Sequence, residues 1–96
     1  MRQYETMFVL RPEFDKEQAQ AQVARFVAVI ENNGGTIEKV SDWGKRRLAY
    51  EVKKYREGIY TLINFQSEAA VATELERNFK ISEDVIRYLI VRKDEE

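Results

Sequence analysis

Lys45, Arg46 and Arg47 stand side by side, with Trp43 shortly before them and Tyr50 shortly after. Guanidinium groups bind phosphate through a planar fork, and aromatic rings stack on exposed bases, so this run has the chemistry to hold nucleic acid. The same cations have a second use on an edge strand, where they block unwanted pairing between sheets. Residue type alone leaves the two uses evenly matched. Lys53, Lys54 and Arg56 follow in the same stretch. They suit a solvated turn as well as a phosphate contact.

Other chemistry is thinly provided. The chain has neither Cys nor His, which removes thiol chemistry, the usual zinc ligands and the usual general base near neutral pH. Carboxylate pairs such as Glu74/Glu76 and Glu83/Asp84 fall where helix and turn surfaces are expected, and read as solvated. No catalytic residue, metal ligand, cofactor or small-molecule substrate is expected.

Ninety-six residues with 44% apolar and 11% aromatic content form one domain around one core. The N-terminus lacks the apolar run of a signal peptide, and no window is apolar enough to span a membrane, so a soluble cytoplasmic chain is expected. The net charge of −1 hides a partition. Residues 45–57 carry six cations and two anions, residues 13–31 four anions and two cations, and residues 67–84 five anions and two cations. Arg87, Arg92 and Lys93 add positive charge before the acidic end Asp94-Glu95-Glu96. Such asymmetry speaks of partners.

These groups need elements to position them. Residues 4–10 alternate, with Tyr4, Thr6, Phe8 and Leu10 on one face and Glu5, Met7 and Val9 on the other, and read as a central strand closed by Pro12. Asp15 and Gln18 have capping-box spacing for a helix whose stripe is Ala19, Val23, Phe26, Val27 and Ile30, stopped by Gly34-Gly35. Residues 36–52 read as a long strand, bulged between Ile37 and Val40 and kinked at Gly44. Residues 53–58 read as a polar turn and residues 59–66 as the third strand. Ser67 is the expected cap of a second helix with the stripe Val71, Ala72, Leu75 and Phe79. Residues 82–84 turn the chain into a fourth strand over 85–93, and residues 94–96 form a frayed tail.

The order β-α-β-β-α-β with right-handed crossovers predicts a single α+β domain over 1–96 of ferredoxin-like type. Its four-stranded antiparallel sheet has order 4-1-3-2, with two helices on one face. The basic strand then lies at an edge. The helix-covered face takes Thr6, Phe8, Ile63, Phe65, Tyr88 and Ile90; the open face takes Met7, Val9, Tyr60, Leu62, Arg87 and Leu89.

The fold hosts many activities and decides none. Acyl-phosphate hydrolysis on this architecture needs an anion-binding loop after the first strand; here that loop is Arg11-Pro12-Glu13-Phe14, without glycine. Sheet-wide base stacking needs ring-bearing signatures on the two central strands, where only Tyr60 is found on the open face. The apolar open face suggests a protein partner, or a homodimeric metabolite-sensing regulatory domain, although the glycine-bearing loop of such domains is missing.

Three segments carry a resemblance: Met1-Arg2-Gln3-Tyr4-Glu5, Trp43-Gly44-Lys45-Arg46-Arg47-Leu48-Ala49-Tyr50, and Val85-Ile86-Arg87-Tyr88-Leu89-Ile90-Val91. In order and spacing across nearly the whole chain, the sequence resembles the bacterial ribosomal protein S6 family. The resemblance implies a structural protein of the small (30S) ribosomal subunit. It would bind the central domain of 16S rRNA as a heterodimer with ribosomal protein S18. By position, Arg2 and Arg87, then Arg92 and Lys93, match basic positions expected to touch rRNA. Lys45, Arg46 and Arg47, with Leu48 and Tyr50, match an edge expected to meet the partner protein or rRNA.

Overall fold

A computed structural model describes residues 1–94. In chain order the elements are β1 (Arg2–Leu10), α1 (Lys16–Asn32), β2 (Thr36–Val52), β3 (Tyr55–Ser67), α2 (Ala69–Ile81) and β4 (Val85–Arg92). The sheet order is β2-β3-β1-β4, with every neighbouring pair antiparallel, as the chain order predicts.

One apolar row of each central strand builds the core. Tyr4, Phe8 and Leu10 of β1 and Ile59, Ile63 and Phe65 of β3 pack beneath Ala19, Phe26 and Ile30 of α1 and Val71, Leu75 and Phe79 of α2. Phe8 has ring centroids of Phe26 and Phe79 each 5.1 Å away, and those two rings lie 4.7 Å from each other. Thr6 shares this face and is buried; its Oγ1 donates to Leu89 O at 2.9 Å, so its hydroxyl is not stranded.

Local chemistry sets the helix ends. Asp15 Oδ1 accepts from Gln18 N at 2.8 Å and Gln18 Oε1 accepts from Asp15 N at 3.0 Å, completing the capping box. Gly34, at φ +94°, ends α1, with Gly35 N donating to Ile30 O at 2.8 Å. Arg11 ties the loop after β1 to the turn before β4: its backbone N donates to Asp84 O at 2.9 Å and its Nε to Asp84 Oδ1 at 2.7 Å.

Three expectations are corrected, and the start of β4 departs from simple alternation. The turn between β2 and β3 is only Lys53-Lys54, at φ +50° and +71°, and β3 begins at Tyr55. Two successive residues at positive φ match the twist of a tight hairpin, and two lysines hide that signal. Ser67 does not cap α2. It is the last residue of β3, paired with Arg2, and Glu68 holds the cap position without a side-chain bond. The ladder between β1 and β4 shifts between Val9 and Leu10, so Val85 turns into the core under the helices and Ile86 packs near Val9 instead. Finally, Val9 is fully buried although it points away from the helices. The tail expectation falls partly outside the described residues: Asp94 accepts hydrogen bonds from Gln3 N and Arg92 Nε, and 95 and 96 are not described.

The burial of Val9 follows from the β2–β3 hairpin. Leu10, the end of β1, pairs with Ile59, so the hairpin runs on past the central strand and curls toward the open face. Gly58 makes that close approach possible: a Cβ there would sit 2.3 Å from Val9 Cγ1 and 3.0 Å from Leu10 O. Gly58→Ala should therefore destabilise the protein by about 1–3 kcal/mol through overpacking. Urea denaturation measures the loss, and an unchanged midpoint would contradict it.

Candidate nucleic-acid and partner interface

The hairpin presents its cations on a kinked strand. Asp42 Oδ1 accepts from Gly44 N at 2.9 Å, and Gly44 takes φ +72° where the β2–β3 register shifts. This turn leaves Trp43 41% exposed. Arg46 folds back on it, with Nε donating to Trp43 O at 3.2 Å and its guanidinium 5.6 Å from the ring centroid. Lys45, Arg46 and Arg47 are all exposed, and Leu48 is half-buried.

The curl brings Tyr50 of β2 to Arg87 of β4, at the opposite edge of the sheet. Arg87 Nη1 donates to Tyr50 OH at 3.0 Å, and its guanidinium lies 5.4 Å from the Tyr50 ring centroid. Tyr50 is 61% exposed, so the ring keeps a free surface while its hydroxyl positions the cation. A cation over a ring is worth about 0.5–1 kcal/mol at an exposed site. This holds a guanidinium beside an accessible aromatic face, the pairing suited to a phosphate next to a stacked base.

Arg2, Arg92 and Lys93 gather at the other end of the sheet. Arg92 is paired with Tyr4, and Lys93 N donates to Gln3 O at 2.7 Å. Here positive charge is partly engaged. Arg92 Nε meets Asp94 Oδ1 at 2.9 Å and Lys93 Nζ meets Glu5 Oε1 at 3.7 Å. Arg2 is exposed and has no ion-pair partner among the described residues.

The rRNA-binding set named from sequence is thus divided. Arg2 sits at the start of β1 and Arg87 is paired with Val9, seven residues further along, about 23 Å of strand. Arg87 instead shares an end with Tyr50 and the basic hairpin. Alternation placed Arg87 on the open face and left Tyr50 unassigned to either face. It gave no sign of their contact, because they are 37 residues apart and meet only through the curl.

The loop after β1 is not open to an anion. The Arg11 side chain is held by Asp84 and stacks 4.5 Å from the Phe14 ring centroid. Beside it, between α1 and β2, runs an open groove of about 360 Å³ floored by Phe14, Ala19 and Ile59, with Lys45 and Asp42 on its rim. Among the described residues, no group of three or more His, Cys, Asp or Glu is placed to hold a metal ion. No helix among them is long and apolar enough to cross a membrane.

The hydrogen bond from Arg92 chiefly, helped by Gln3 N, holds the Asp94 carboxyl below its ordinary value. A depressed carboxylate contributes stability above the ordinary aspartate range, and that contribution is lost as pH falls through the folded-state value. Carbon-13 NMR titration should therefore find the Asp94 midpoint below that of an unpaired aspartate, and Arg92→Gln should move it back up. Identical midpoints in the two proteins would contradict the pairing.

Comparison with known proteins gives one answer. The sequence model described as ribosomal protein S6 matches residues 3–92. The chain is 54% identical over 96 residues to small ribosomal subunit protein bS6 of Moorella thermoacetica, covering 100% of this chain and 98% of that protein. It is 52% identical over 96 residues to the bS6 protein of Heliobacterium modesticaldum, covering 100% of both. Among solved structures, 30S ribosomal protein S6 of Thermotoga maritima superposes with a TM-score of 0.91 at 36% identity, over 96% of this chain and 87% of that one.

Proposed function

The chain belongs to the ribosomal protein S6 family, structural proteins of the small ribosomal subunit rather than enzymes, and on that premise we propose that it binds the central domain of 16S rRNA cooperatively with ribosomal protein S18. Its place is then the 30S subunit in the cytoplasm. Family membership displaces the metabolite-sensing alternative.

The distribution of the cations carries the cooperative form of the reading. Counterion release makes rRNA affinity grow with the number of phosphates neutralised. This chain has a net charge of −1, and its candidate rRNA-binding cations lie in two groups at opposite ends of the sheet. In one group Arg92 and Lys93 are engaged by Asp94 and Glu5. Few phosphates are within reach of each group, so the protein alone binds weakly, and a more basic partner supplies the missing contacts. Arg2 and Arg87 are the leading rRNA contacts, with Arg92 and Lys93 beside Arg2. Lys45, Arg46, Arg47, Leu48 and Tyr50 form the edge where partner protein and rRNA meet. Recognition is by position and shape, since nothing here reads base edges across the sheet.

Titration of a central-domain rRNA fragment with this protein, with and without S18, tests the reading. Tight, salt-sensitive binding is expected only with S18 present; equally tight binding without it would overturn the cooperative model. Arg87→Ala and Arg2→Ala should each weaken the ternary complex roughly fivefold to a hundredfold, about 1–3 kcal/mol for a charged hydrogen bond, with the thermal midpoint of the free protein nearly unchanged. A variant that assembles like the wild type leaves the contact set.

A further inference from the structure

Between the tip of the β2–β3 hairpin, the last turn of α2 and the start of β4 lies an open cleft of about 360 Å³. Its apolar base is formed by buried Phe79, Val85 and Ile86. Three cations from three parts of the chain line it as well: Lys53 of the hairpin turn, Lys80 in the last turn of α2, and Arg87 of β4. All three are exposed, and none has an ion-pair partner among the described residues. By contrast Arg11, Arg77, Arg92 and Lys93 each meet a carboxylate of this chain.

No carboxylate lines the cleft among the described residues. The acids around it are engaged elsewhere or lie outside it. Asp84 holds Arg11 at 2.7 Å, and Glu76 accepts from Tyr88 OH at 3.1 Å in the neighbouring groove with Ala72 and Thr73. Glu83 stays outside the lining, and Glu51 belongs to a separate hollow with Arg47 and Arg56. Cations that converge without a counter-charge repel one another in the free protein and are complementary to an anion from outside.

The hairpin turn adds an independent observation. Lys53 and Lys54 stand at φ +50° and +71°, positions that two-residue hairpins give to Asn, Asp or Gly. Residues held against backbone preference gather at binding sites. What lysine brings to this turn, and asparagine or glycine would not, is charge. Arg87 then joins the cleft to the Tyr50 ring: its Nη1 donates to Tyr50 OH at 3.0 Å, leaving the other donors of its fork for an incoming oxygen.

We propose that this cleft holds a stretch of RNA backbone, with one phosphate at Arg87 beside the Tyr50 ring and neighbouring phosphates of the same strand at Lys53 and Lys80. The proposal rests on the rRNA reading above and extends the Arg87 end from one oriented cation to three. Lysine ammonium groups act on phosphate as point charges, so these contacts fix the path of the strand without reading its sequence.

The salt dependence of the complex formed by this protein, S18 and a central-domain rRNA fragment tests the proposal. Lys53→Asn and Lys80→Gln should each flatten the slope of log affinity against log salt by about 1, and the double variant by about 2. Lys39→Gln, an exposed site on β2 opposite Asn64, should leave the slope unchanged. Asparagine suits positive φ better than lysine, so Lys53→Asn should hold or raise the thermal midpoint of the free protein while its binding weakens. A merely structural role for Lys53 predicts the reverse. Acylation of lysine amines, read by mass spectrometry, should find Lys53 and Lys80 protected when rRNA joins the S18 complex and reactive with S18 alone. An unchanged slope for either variant, with the wild type still bound, would overturn the cleft and leave the rRNA reading standing. Equal flattening by Lys39→Gln would reduce the effect to overall charge and overturn it too. Protection by S18 alone would assign the cleft to that protein, with the same result. A wild type that binds no rRNA even with S18 would overturn the rRNA reading and the cleft with it.

Discussion

Phe8 is the residue on which the architecture turns. Its ring meets Phe26 of α1 and Phe79 of α2, and those two rings meet each other. One side chain of the central strand thus holds both helices on the same face of the sheet. Aromatic rings bury large areas and prefer particular orientations, so this cluster sets the angle of the helices as well as their attachment. Everything functional follows from the asymmetry: one face is core, and the other is left for partners.

That second face is not uniformly bare. At one end the hairpin curls over it, Gly58 presses on Val9, and Tyr50 reaches Arg87. Toward β4 it keeps Leu89 and Val91 exposed. Gln3, Glu38 and Gln66 form a polar cluster at the far end, Glu38 Oε2 accepting from Gln66 Nε2 at 2.8 Å and Gln3 Nε2 at 3.4 Å. The curl is the structural source of the Arg87 site. Without it, the guanidinium would project from a flat sheet with no group to orient it.

Much of the fold was legible because its signals are local. Asp15 and Gln18 announce a helix start within four residues, Gly34 announces its end, and period-two alternation places Thr6, Phe8, Ile63 and Phe65 inside. Where local preference and tertiary demand part, the reading failed. Serine is a good cap, yet Ser67 is paired with Arg2 at the end of β3. Lysine is a poor residue for positive φ, yet the twist of the β2–β3 ladder holds Lys53 and Lys54 there. Of the candidate site, the identities of the cations and the face of Arg87 could be read. Their grouping could not, because Arg2 and Arg87 are separated by strand length and Arg87 and Tyr50 are joined by the curl.

The placement of charge is the last consequence of the same geometry. β1 and β3 are flanked on both sides and give one face to core, so cations concentrate on β2, on the hairpin and at the ends of the outer strand. Those are the positions where a sheet offers solvent-exposed sites for long charged side chains. A protein of this build cannot form a continuous basic stripe like that of a self-sufficient RNA binder. It can hold a few oriented cations at two ends of a rigid platform. Rigid, separated contacts favour a site whose phosphates are already arranged, and they gain most when a second protein fills the gap between them. The division of the cations, unfavourable for lone binding, is what ties affinity to assembly.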